Sequence, residues 1–157
     1  LNDISAPISQ LATLPLAGHN CVIVENKLVF LTLPALPNAV AIFGGGFRVD
    51  LLGRLPWLRT CRLWYWGDLD AQGFLILARL RAHLPHVTSV LMDDATLDAF
   101  RAFVVPGTPC PPTVPHQLSA AEQDTFTRLA ASTLRLEQER ISYAHAHRVL
   151  QQVLEQE

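Results

Sequence analysis

Glu25, Asp68 and Asp70 are the residues of this 157-residue sequence whose types and placement could do chemistry together. Asp68 and Asp70 stand two apart in Trp66-Gly67-Asp68-Leu69-Asp70, and in extended chain such positions face the same side. Glu25 directly follows the β-branched run Cys21-Val22-Ile23-Val24. Three carboxylates brought close repel one another. Two unit charges ~4 Å apart interact by about 4 kcal/mol at an effective dielectric of roughly 20. The only lysine that could offset this is Lys27, so a divalent cation is the economical answer. Oxygen-only donors at a partly open site favour Mg²⁺, with Mn²⁺ as a substitute, over zinc or copper. A metal held this way can bridge phosphate oxygens and orient a nucleophile. The plain alternative for Asp70 is that it caps the helix beginning at Ala71.

The acids can meet only if the surrounding elements bring them to one edge. Cys21–Val24, Ala39–Phe43 and Arg62–Trp66 are short apolar runs of buried-strand type. Val87–Met92 reads as a fourth strand. Helical patterns fall between them: residues 26–33, stopped by Pro34 and Pro37; 47–55, before Pro56; and 71–84, with Phe74, Leu77, Ala78, Leu80 and Leu84 as its apolar stripe. Asp94 can cap a further helix through Phe103. Strand–helix alternation of this kind implies a parallel sheet with helices on its faces. Ligands then sit at the carboxyl ends of the strands, where Glu25, Asp68 and Asp70 fall. Residues 104–117 carry five prolines and read as a loop. Ser119 with Glu122 fits a capping box for a helix, and Glu137–Leu154 looks like a terminal helix. Residues 1–19 read as a linker or lead-in from a preceding domain. Residues 20–157 form the domain proper, with a C-terminal helical extension.

Composition limits the remaining readings. Half the residues are hydrophobic and 17% are charged, which suits one folded domain and argues against disorder. No run could span a membrane and no signal peptide opens the chain; a cytoplasmic location and no membrane partner are expected. The sequence lacks an initiator Met, so a fragment or a processed chain is expected. Cys21, Cys61 and Cys110 have no metal spacing and read as two buried thiols and one loop thiol. The net charge of −2 gives no basic footprint for nucleic acid, although eleven of the twelve cationic residues are Arg, the better phosphate fork. Gly44-Gly45-Gly46 follows the second strand and permits close approach of a phosphate backbone; a tight turn is an equal reading. Arg48 and Arg54 could reach phosphates, or could be ion-paired surface residues. The six histidines form no ligand set, and Trp57, Trp64, Trp66 and Tyr65 read as core or interface.

Val22-Ile23-Val24-Glu25-Asn26, Ile42-Phe43-Gly44-Gly45-Gly46 and Trp66-Gly67-Asp68-Leu69-Asp70-Ala71-Gln72-Gly73-Phe74 together resemble Toprim domains. Tyr65-Trp66-Gly67-Asp68, Leu91-Met92-Asp93 and Arg135-Leu136-Glu137-Gln138-Glu139-Arg140-Ile141 extend the resemblance to the carboxy-terminal domain of JetD. That family is the nuclease-like subunit of the Wadjet anti-plasmid system and is similar to topoisomerase VI and its meiotic double-strand-break relative. The resemblance spans roughly residues 20–141. It implies a Toprim fold and Mg²⁺-dependent cleavage of double-stranded DNA. Glu25 would act as general acid/base and ligand, and Asp68 and Asp70 would hold the metal. Gly44, Gly45, Gly46 and Arg48 would face DNA. Glu137 or Glu139 would be an accessory acid, or simply helix surface. SMC-type Wadjet subunits are the implied partners, with a homodimer in the full-length form. The tyrosine-bearing domain of the topoisomerase relatives has no match here: Tyr65 falls in a strand and Tyr143 in the terminal helix. Activity of this segment alone is therefore not expected.

The expected fold is thus α/β of Toprim type: a four-stranded, mainly parallel sheet flanked by helices, with additional C-terminal helices. Two rivals stand beside the cutting function. A Toprim-like DNA-binding or interaction module would keep the acids without catalysis. A receiver-like signalling domain would need a lysine late in the chain, and none follows Lys27.

Overall fold

A computed structural model describes residues 4–36, 38–110 and 113–155. Pro37, a helix stop on the sequence pattern, lies outside the described residues. So do residues 1–3 of the lead-in, Pro111 and Pro112 of the Pro-rich stretch, and residues 156–157.

The sheet is built as the apolar runs predict. Strands β1 (Asn20–Val24), β2 (Ala39–Phe43), β3 (Arg62–Trp66) and β4 (Thr88–Ser89) form a parallel sheet in the order β2-β1-β3-β4. Val24 pairs with Phe43 on one side and Trp66 on the other. Glu25, Gly44 and Gly67 therefore leave the sheet at the same edge, one residue past each strand. Cys21, Val22, Ile23, Val24 and Tyr65 are wholly buried, which explains the near-continuous apolar character of the central strands. Trp57, Trp64 and Trp66 are core residues too, and Cys21 and Cys61 are buried thiols.

The helices are α1 (Ile8–Leu11), α2 (Lys27–Thr32), α3 (Ala71–His83), α4 (Asp94–Ala99), α5 (Ala120–Ser132) and α6 (Tyr143–Glu155). Asn26 caps α2 through Oδ1, which accepts from the Leu28 and Val29 amides at 2.8 and 3.2 Å. Asp70 caps α3, with Oδ1 accepting from Gly73 N at 2.7 Å. Ser119 and Glu122 close a full capping box on α5. Along the lead-in, Ile8, Leu11 and Leu16 pack on the core, and Trp57 Nε1 donates to the Leu11 carbonyl at 2.9 Å.

Five sequence expectations need correction, four of them local. The fourth strand is two residues, not 87–92. Val90 N still donates to the Tyr65 carbonyl at 3.0 Å, but Leu91 takes a positive φ of 60°, which turns the chain out of the sheet. Residues 46–54 form a 3-10 helix rather than an α-helix. Asp93, not Asp94, caps α4, and α4 ends at Ala99, followed by a 3-10 turn over Arg101–Phe103. The Pro-rich loop contains β5 (Val105–Pro106), which pairs antiparallel with β6 (Leu134–Arg135).

The largest departure is at residues 134–141. The terminal helix starts at Tyr143, not Glu137. Ahead of it, Leu136 exchanges both backbone hydrogen bonds with Leu69, at 2.9 and 3.1 Å, which holds this stretch extended. A 3-10 turn, Gln138–Arg140, follows. Among the described residues, no helix is long and apolar enough to cross a membrane.

Candidate acidic site at the sheet edge

Glu25 begins just past β1 and is fixed from β3. Its own amide donates to the Trp66 carbonyl at 3.1 Å. Its Oε2 accepts from Tyr65 Oη at 2.9 Å and from the Asp68 amide at 3.3 Å. Tyr65 and Ile23 are register partners on adjacent strands, so the phenol reaches across to the acid at the end of the neighbouring strand.

Asp68 meets the segment after β6: its Oδ1 accepts from the Gln138 amide at 2.8 Å. Asp70 is buried and uses Oδ1 as the α3 cap, so the capping role considered for it is real. The second oxygens of Glu25 and Asp68 accept no hydrogen bond from any described residue. Glycines make the packing here feasible. A Cβ at Gly67 would stand 2.6 Å from both Glu25 Oε2 and Tyr65 Oη, and one at Gly73 would overlap the Asp68 carbonyl.

Residues 134–140 form a strap across this edge. Gln138 is wholly buried. Its Oε1 accepts from the Asn26 amide at 2.8 Å and its Nε2 donates to the Trp66 carbonyl at 2.9 Å. Glu139 Oε2 accepts from Asn26 Nδ2 at 2.7 Å. Glu137 turns the other way, pairing with Arg135 at 2.8 Å and, more loosely, with Arg140 at 3.8 Å. Of the two expected accessory acids, Glu139 therefore stands beside the Glu25 turn.

The electrostatics follow from burial. Burial, then the neighbouring Asp68 charge, pushes Glu25 from its ordinary 4.5 up to about 7, against the hydrogen bonds from Tyr65 and the Asp68 amide. Burial likewise raises Asp68 from 3.8 to about 6, aided by Asp70 and Glu139 and opposed by the Gln138 amide and Arg135. Asp70 is also raised by burial, with the Gly73 amide and Arg135 opposing. Tyr65 is held well above its usual range by burial and by Glu25.

The three acids thus share one electrostatic neighbourhood. Among the described residues, however, no three His, Cys, Asp or Glu side chains converge into a ready-made metal cage. Gly44–Gly46 lies at the same sheet edge. Gly45 and Gly46 have φ of 66° and 64° and make the turn from β2 into the 3-10 helix. The exposed Arg48 folds back on that turn, its Nε 3.5 Å from the Gly45 carbonyl.

Two residues of the site escape sequence reasoning. Tyr65 reads from sequence as core or interface, yet a phenol in a buried strand needs an acceptor, and the adjacent strand ends in an acid. Gln138 is inconspicuous between two glutamates. In the fold Leu136 and Gln138 are buried and Glu137 and Glu139 less so, the alternation of extended rather than helical chain, which the residue types alone do not announce.

A parallel α/β sheet with acids gathered where its two central strands end defines a domain class that works at its carboxyl edge. The chain belongs to the family of the Wadjet protein JetD, C-terminal, whose model matches residues 1–150. That family is a component of Wadjet plasmid defence. No curated protein matches the chain.

Proposed function

We propose that this domain is the Toprim-type, metal-binding part of a nuclease subunit that cuts double-stranded DNA in plasmid defence. The observation behind this reading is the coupling of Glu25 to Asp68 at the carboxyl edge, each with one oxygen hydrogen-bonded by protein and one left over.

The donor set fits Mg²⁺ or Mn²⁺: oxygen ligands only, at a partly buried site whose carboxylates repel. Glu25 and Asp68 would hold the cation, with Asp70 adding charge from its capping position. When bound, the cation supplies charge neutralisation at phosphate oxygens and a lowered pKa for a coordinated nucleophile. In the metal-free domain burial and the Asp68 charge push Glu25 up to about 7; a bound cation would lower this and favour the carboxylate, the form that can accept a proton from a nucleophile. The Tyr65 hydroxyl sits at the acids but is buried and engaged by Glu25, and Tyr143 opens α6. In this reading the attacking group comes from water or from another domain. The glycine turn and Arg48 would face the DNA backbone. SMC-type Wadjet subunits and a second copy of the full-length protein would complete the machine.

One observation favours the rival, a Toprim-like interaction module without catalysis: the missing ready-made cage among the described residues. A plasmid-cutting assay separates the two. With the intact protein and its Wadjet partners, Glu25→Ala should abolish nicking and linearisation of circular DNA. Undiminished cutting by this variant would sink the catalytic reading.

A further inference from the structure

We propose that Gln138 is a positioning residue of the acidic site, whose side-chain amide fixes the turn bearing Glu25 against the turn bearing Asp68. This inference rests on the metal-binding reading above and deepens it.

The geometry is specific. Gln138 Oε1 accepts from Asn26 N, the residue after Glu25, at 2.8 Å. Gln138 Nε2 donates to the Trp66 carbonyl, two residues before Asp68, at 2.9 Å. The same carbonyl accepts from the Glu25 amide at 3.1 Å. The Gln138 backbone N–H holds Asp68 Oδ1 at 2.8 Å. One residue from the strap thus bonds both acid-bearing turns and one of the acids itself.

The chemistry of the residue type supports the role. These partners need a donor and an acceptor on one side chain, and a neutral amide supplies both. A carboxylate would only accept, and a methionine would offer neither. Gln138 is also wholly buried, so water does not stand in for its bonds. Leu136, two residues earlier, anchors the strap to Leu69, which lies between the two aspartates. The strap is thereby fixed to the site at both of its buried positions.

A group that only satisfied backbone polar atoms would contribute to stability and leave the ligands' metal affinity alone. Partners that orient metal ligands behave differently: losing one typically costs about 10–100-fold in affinity. The test is Mn²⁺ titration of the intact protein, held well below its unfolding midpoint. It compares wild type, Asp68→Asn, Gln138→Met and Gln138→Asn. Gln138→Met removes both side-chain bonds at similar volume. Gln138→Asn keeps the amide but shortens its reach, and it serves if the Met variant does not fold.

Wild type should bind and Asp68→Asn should lose binding. A folded Gln138 variant should bind about 10–100-fold more weakly, with faster hydrogen exchange at the Asn26 amide. If wild type binds and the folded Gln138 variants bind equally well, the positioning role is overturned while the metal reading stands. If wild type itself binds no Mn²⁺, the metal reading fails and takes this role with it.

Discussion

Tyr65 Oη donates a 2.9 Å hydrogen bond to Glu25 Oε2, tying a wholly buried side chain of β3 to the acid at the end of β1. The bond is worth most when Glu25 is ionised, because hydrogen bonds to charged groups are stronger. Tyr65→Phe should therefore destabilise the metal-free protein by roughly 1–3 kcal/mol at about pH 8. The loss should shrink towards pH 5, where Glu25 holds its proton. Denaturant midpoints at the two pH values measure this. An equal loss at both would mean the phenol serves packing alone.

Close approach makes Gly67 the second sensitive point. A Cβ there would stand 2.6 Å from both partners of the Tyr65–Glu25 bond. Gly67→Ala should separate that pair, lowering stability by about 1–3 kcal/mol and removing plasmid cutting in the assembled system. Gly44 offers a contrast: its nearest neighbour would be the Ile23 methyl at 3.1 Å, which can give slightly. Gly44→Ala should cost less in both measurements. Equal effects would show that the Tyr65–Glu25 pair accommodates a methyl as readily as the Ile23 side chain does.

The sheet was legible because its signal is local. Cys21–Val24, Ala39–Phe43 and Arg62–Trp66 are apolar runs flanked by breakers, and the strands occupy those residues almost without change. The common edge for Glu25, Asp68 and Asp70 followed from parallel topology. The strap was not legible, because its conformation is decided by a partner far away in sequence. Leu136 is extended because Leu69 takes its backbone bonds, and Arg135-Leu136-Glu137-Gln138-Glu139-Arg140 alone has good helix formers throughout. The end of β4 was hidden for a related reason: nothing in Val90-Leu91-Met92 announces a positive φ at Leu91.

Metal should report on these acids through stability. A ligand at 100 times its Kd stabilises a fold by about 2.7 kcal/mol. Saturating Mg²⁺ or Mn²⁺ should raise the unfolding temperature of the intact protein at about pH 7.5, by several degrees for a domain of this size. Asp68→Asn should abolish the increment, and Glu25→Gln should reduce it. Ca²⁺, larger and more tolerant in coordination, should give a different increment. A wild-type midpoint unmoved by any of the three would remove the metal from the proposal.

Glu25 and Glu122 should bend the pH–stability curve in opposite directions. Glu25 is raised to about 7 by burial and by Asp68, so the folded state holds its proton more tightly than the unfolded chain does. Its contribution is complete below about 4.5 and is lost as pH rises through about 7. Asp68, raised to about 6, adds to the same decline. Glu122 behaves oppositely. Burial alone would raise it, but Arg81, Ser89 and the Ser119 amide bring it to about 2. Arg81 forks onto it at 2.5 and 2.9 Å, and Ser89 Oγ donates at 2.6 Å. That contribution is present above about 4.5 and is lost as pH falls through about 2. The metal-free protein should therefore be most stable near pH ~5 and weaken on both sides. Glu25→Gln should flatten the neutral side, and saturating Mg²⁺ should do the same by compensating the ionised acids. Glu122→Gln should flatten the acid side and, by taking the carboxylate from Arg81, which keeps its bonds to the Val87 and Gln117 carbonyls, lower stability near neutral pH. Urea midpoints at about pH 3, 5 and 8, with chelator and with Mg²⁺, give the profile. A chelated protein that gains stability from pH 5 to 8 would show that burial does not hold protons on Glu25 and Asp68.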